Sequence, residues 1–197
     1  MDKYSTYNDE QLLTLLRENE PIKSHAFRII WDRHSDKLMQ YCRFSTTSRD
    51  DAQDLFQNTW ISFFEIASND TKVKNIKFNL FKIAHYKSLN KYKESKRANS
   101  IFDSNVDSDE FMSSTNLIEE IEYQELIANF HIAVNCLEFS TAQYLLLHWI
   151  AGLNFREIAD LFEVSYDSVR MKCTRGMSKV IDLIKPKYNI KKSEDIK

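Results

Sequence analysis

Glycine and proline are almost missing from this sequence: 197 residues contain only two of each. Average usage would supply about twenty more. A glycine-rich phosphate loop, a dinucleotide fingerprint, a collagen repeat and a many-turned β-sandwich are thereby excluded. The three cysteines, Cys42, Cys136 and Cys173, are odd in number and far apart. That pattern argues against a disulfide framework and for a reducing compartment. No apolar run approaches the eighteen or so residues of a membrane span, and Met1 to Glu10 lack the apolar stretch of a secretion signal. The expectation is a cytoplasmic protein with no membrane insertion. Catalytic signals are scarce as well. The five histidines show no H-E-x-x-H spacing, and no cysteine pair has zinc-ligand spacing. The expectation is no metal, no cofactor and no enzyme. Asp50 and Asp51 read as helix N-terminal charge rather than an acid–base pair, and His25 and His131 read as packing residues.

What is present is apolar and helical. Apolar residues make up 43% of the chain and aromatics 13%, enough for a core. Capping signals recur: Asn8 before a leucine-rich helix, Ser48 before the clearest helix, Ser140 with Gln143, Asn154 with Glu157, and Ser165 before a basic helix. Pro21 suits the start of a helix with Ile22, Ala26, Ile29 and Ile30, and Leu38 to Cys42 suggest a third. Behind Ser48, the residues Ala52, Leu55, Phe56, Thr59, Trp60, Phe63, Phe64 and Ala67 alternate by three and four, which lays one buried stripe along a helix. The opposite face holds Gln53, Asp54, Gln57, Asn58 and Glu65 with one apolar oddity, Ile61. Ser68 to Asn75 is a polar connection, and a second long helix follows to about Arg97. Leu117 to Cys136 form a further helix, Gly152 falls where a left-handed cap residue belongs, and Pro186 is expected to limit the last helix.

The net charge of -2 conceals an uneven distribution. Lys72 to Arg97 carry nine basic residues against one acid, Ile101 to Glu125 carry eight acids and no base, and Arg170 to Lys197 carry nine basic residues against three acids. Two basic segments separated by an acidic one can be solvated helix faces or can hold polyanions at two places. Two short helices joined by a tight turn, the second basic, form a helix-turn-helix pattern that suits a DNA major groove. The expected architecture is all-α: two small helical domains, 1–98 and 117–186, joined by a flexible acidic linker at 99–116 and followed by a basic tail at 187–197.

Asp51-Ala-Gln-Asp-Leu-Phe-Gln-Asn-Thr-Trp60 resembles the D-A-E-D-L-V-Q-E-T-F stretch in region two of bacterial extracytoplasmic-function sigma factors. Leu80 to Asn90 is similar to the stretch that follows it. Gly152-Leu-Asn-Phe-Arg-Glu-Ile-Ala159 and Glu163-Val-Ser-Tyr-Asp-Ser-Val-Arg-Met-Lys172 resemble G-L-S-x-x-E-I-A and G-I-S-x-x-T-V-K-S-R of region four. The resemblance implies a promoter-specificity subunit whose partners are core RNA polymerase (the clamp of its largest subunit and the flap of its second largest), promoter DNA and an anti-sigma factor. By matching position, Asp54, Gln57, Asn58 and Ile61 would face the clamp. Asn69, Asp70, Lys72, Lys82, His85, Tyr86, Asn90 and Lys93 would serve the minus-ten element. Tyr166, Ser168, Arg170, Lys172, Arg175 and Lys179 would serve the minus-thirty-five element. The chain departs from the pattern at Asn58, His85-Tyr86, Glu138 and Glu163; the last stands at a tight-turn glycine that favours left-handed geometry. The acidic stretch around Asp103 to Glu110 could contact the basic faces in a closed form. The alternative is a helix-turn-helix regulator that binds duplex DNA and ignores polymerase.

Overall fold

In the computed structural model, residues 6–69, 73–98 and 117–188 are described, and among them all regular structure is helical. Four helices precede the 99–116 segment: α1 (Asp9–Leu15), α2 (Ile22–Phe44), α3 (Arg49–Asn69) and α4 (Ile76–Ala98). Four follow it: α5 (Leu117–Asn135), α6 (Phe139–Trp149), α7 (Phe155–Phe162) and α8 (Tyr166–Tyr188). The acidic stretch around Asp103 to Glu110, together with Asp70, Lys72 and residues 189–197 of the tail, lies outside the described residues.

Local chemistry fixes many of the helix ends. The Asn8 side chain accepts from the Gln11 amide at 2.9 Å, and Gln11 returns the bond to the Asn8 amide. Ser48 caps α3 through the Asp51 amide at 3.1 Å, and Asn75 caps α4 through the Phe78 amide at 2.9 Å. Each such cap satisfies an amide the helix leaves unpaired, typically worth about 1 kcal/mol.

Three boundaries differ from the sequence expectation. The second and third expected helices are one continuous helix, α2, because the polar run Asp32 to Lys37 between them contains neither glycine nor proline to interrupt it. The last helix runs through Pro186 to Tyr188. At the start of α6 the cap is Glu138, and the Ser140–Gln143 pair forms no capping box. Gln143 is instead withdrawn into the interior, 1% exposed.

The core begins in an aromatic cluster between α2 and α3. Trp31 and Trp60 stack at 4.8 Å, with Phe27 edge-on to Trp60 at 5.5 Å and Phe56 edge-on to Trp31 at 5.3 Å. Such pairs contribute about 0.5–1.5 kcal/mol each beyond area burial. From there the buried apolar residues continue through α4 into α5–α8 as one cluster. The two halves are thus packed together as well as joined in sequence. Within the second half, α8 crosses α6 at Gly176, where a Cβ would stand 2.7 Å from Thr141 Cγ2. Any larger residue there would have to displace the Thr141 side chain.

Candidate nucleic-acid and polymerase interface

The outer face of α3 is fully presented. Asp54, Gln57, Asn58 and Ile61 are all exposed, and Ile61, at 56%, is an isolated apolar side chain among polar ones. The preceding residue, Trp60, is 3% exposed. Consecutive positions of one helix therefore set an aromatic base beside a solvent-facing patch. Asn69, at the end of α3, turns its amide back onto the Glu65 carbonyl at 2.8 Å.

On α4, Lys82, Tyr86, Asn90 and Lys93 are exposed at spacings of four, four and three, so they share one stripe. Cations with a tyrosine among them suit a backbone-tracking, base-stacking surface. His85 does not share that stripe. It is 3% exposed, its ring lies 4.4 Å from Phe162 of α7, and its Nδ1 donates to Gln143 Oε1 of α6 at 3.2 Å. In this conformation His85 cannot face promoter DNA, because the second half covers it. Lys91 is likewise engaged, pairing with Asp51 and so tying α4 to the start of α3. The Lys91 bond is the main reason the Asp51 carboxyl is held below its ordinary value.

The helix-turn-helix is built by two left-handed residues and a capping box. Gly152 has φ +68°, and its carbonyl accepts from Lys77 Nζ at 2.7 Å. The Asn154 side chain accepts from the Arg156 and Glu157 amides, and Glu157 accepts from the Asn154 amide. Glu163 then adopts φ 55°, ψ 43°, the left-handed turn foreseen for that position. Ser165 opens α8 through the Ser168 amide at 3.2 Å.

Val169, Cys173, Val180 and Ile184 bury the inner side of α8. Tyr166, Arg170, Arg175 and Lys179 are exposed, and Ser168 is half-buried. Arg170 pairs loosely with Asp167 at 3.7 Å. Lys172 is directed inward along the helix flank: it reaches Ser140 Oγ at 3.3 Å and Glu138 at 3.9 Å and lies over the Tyr144 ring at 5.7 Å. Met171 occupies the outward face that Lys172 leaves, 48% exposed, with Arg175 beside its sulfur at 4.0 Å. Met171 lies opposite Val169 and Cys173 around the helix, a position legible from helical periodicity and not from charge. Cys42 and Cys173 are buried thiols whose burial pushes them up to about 12 and about 11, respectively. They are inert packing groups at neutral pH. No helix among the described residues is long and apolar enough to cross a membrane.

Gln143 joins the halves. Its Oε1 accepts from the Tyr41 hydroxyl as well as from His85, and its Nε2 donates to Ser45 at 3.4 Å. Around it, Phe44 meets Phe130 at 5.4 Å, Tyr92 stacks on Phe139 at 4.2 Å, and Asn75 reaches Glu157 at 3.5 Å.

No protein-family model matches the sequence, and no curated protein does. Solved structures do match. One is the sigma factor RpoE in complex with the anti-sigma factor NepR from Bartonella quintana, with a TM-score of 0.66 and 16% identity over 82% of this chain and 98% of that one. This is a sigma-factor fold. CnrH in complex with the cytosolic domain of CnrY also matches, with a TM-score of 0.66 and 17% identity over 91% of this chain and 98% of that one. The match spans both halves of the sigma-factor fold rather than the helix-turn-helix alone.

Proposed function

We propose that the chain is a sigma factor of the extracytoplasmic-function type, which docks on bacterial core RNA polymerase and directs promoter-specific initiation. The observation that carries this reading is the sigma-factor fold across most of the chain, with an exposed α3 face and an exposed basic α8 at the positions the sequence resemblance marks. Asp54, Gln57 and Asn58 form a polar rim around Ile61 and serve the clamp, an arrangement of apolar centre and polar edge usual at protein interfaces. Lys82, Tyr86, Asn90 and Lys93 serve the minus-ten element, with His85 joining them when the halves part. Tyr166, Arg170, Arg175 and Lys179 position α8 in the groove of the minus-thirty-five element, with Ser168 at its start. The flap of the second-largest polymerase subunit and an anti-sigma factor are the further partners of this reading.

Run-off transcription with bacterial core polymerase across a promoter library tests the proposal. Promoter-selective transcripts that depend on the added chain are expected. Duplex binding by the chain alone, with neither core binding nor a selective transcript, would instead establish a helix-turn-helix regulator.

A further inference from the structure

Two histidines lie in the contact between the halves, on different helices and on opposite sides of it. His85 of α4 is enclosed by Gln143 of α6 and Phe162 of α7. His131 of α5 lies edge-on to Phe44 of α2 at 5.4 Å and bonds the Thr46 backbone. Its Nε2 is buried with no hydrogen-bond partner among the described residues. A proton added there would become a buried N–H with nothing to accept it.

We propose that the contact between the two halves is an acid-sensitive latch, opened when His85 and His131 take up protons. Titratable groups around His85 are Tyr86 on its own helix and Tyr41 of α2, which shares Gln143 with it. Both are phenols, and burial pushes the Tyr41 hydroxyl well above its ordinary value. Phe162 and Gln143 carry no charge. Around His131 stand Phe44 and the Thr46 backbone, also uncharged. Burial is the leading influence on both histidines and holds each below the ordinary 6.5, with no charged group among the causes.

The closed form keeps both rings neutral, whereas in an open form they are solvated and take protons below about 6.5. The favourable contribution to closure is complete above that value and is lost as the pH falls through it. Between pH 7.5 and 5.5 each ring favours the open form by up to about tenfold, and the two together by about a hundredfold. A chain about 1% open at neutral pH becomes about half open. His34 serves as an internal control, since it is half-buried but lies within the first half, where Asp9, Arg33, Lys37 and Lys77 act on it. Its protonation would disturb the fold of that half rather than the contact. Opening is a property of the chain alone and stands apart from polymerase binding.

Small-angle scattering of the full chain at pH 7.5 and 5.5, at constant ionic strength and beside far-ultraviolet circular dichroism, tests the latch. The radius of gyration is expected to rise on acidification while helicity holds. The paired substitution His85→Gln and His131→Gln should remain at its neutral-pH size. An unchanged wild-type radius, a loss of helicity that accompanies the expansion, or equal expansion of the paired variant would overturn the proposal. If the paired variant is already expanded at pH 7.5, the single variants decide: each should keep about a tenfold shift in the open-to-closed ratio, and a full hundredfold shift in either would refute the latch.

Discussion

Helices α3 and α4 are neighbours in the same half, and each sets a buried aromatic side chain directly before an exposed side chain. On α3 the pair is Trp60 and Ile61, at 3% and 56% exposure; on α4 it is His85 and Tyr86, at 3% and 44%. The difference lies in what does the burying. Trp60 is covered from within its own half, by Trp31, Phe27 and Phe56, so its burial does not depend on the contact between the halves. His85 is covered by Gln143 and Phe162 of the other half. The support beneath Ile61 is therefore independent of that contact, while the cover over His85 is conditional on it.

Substitutions can break this comparison in graded steps. Trp60→Ala removes the centre of the aromatic cluster and should cost about 3–5 kcal/mol, seen as a large drop in the denaturation midpoint. Gln143→Ala leaves the Tyr41 hydroxyl and the His85 ring without their shared acceptor. It should weaken the closed form by about 1–3 kcal/mol, and hydrogen exchange should then rise around His85 and Tyr41 while Trp60 and its neighbours stay protected. Glu163→Gly relieves the left-handed turn and should raise stability by up to about 1 kcal/mol, with no effect on either face. Ile61→Glu should change stability by less than about 0.5 kcal/mol, because its side chain already stands in solvent. Among the cations of α8, Arg175→Ala should lower the salt slope of duplex binding by about one. Lys172→Ala should change it less, since Glu138 and Ser140 already hold that ammonium.

The residues that could be read in advance were those whose partners lie within a turn or two along the chain. Asn8, Ser48, Asn154 and Ser165 cap helices because their side chains meet amides two or three residues on. The α3 stripe was legible from its period, and Glu163 from its place in a turn that demands positive φ. Gln143 was misread as a capping residue because its spacing from Ser140 is right, while its true partners, Tyr41, Ser45 and His85, are 102, 98 and 58 residues away. His85 and Lys172 were assigned to DNA from charge and position, with no local signal for the Gln143 amide or for the Glu138 carboxylate that hold them. Gly176 carried no turn signal, since its role depends on Thr141 of another helix. Long-range packing decides all four, and it leaves no trace in short-range periodicity.

Equilibrium binding of bacterial core polymerase to the wild-type chain and to Ile61→Glu, with thermal melts of both, tests the central claim most directly. The α3 face predicts tight binding by the wild type, at least tenfold weaker binding by the variant, and coincident melts. Binding of the variant at wild-type strength, or an early melt that reveals Ile61 as part of the core, would contradict it.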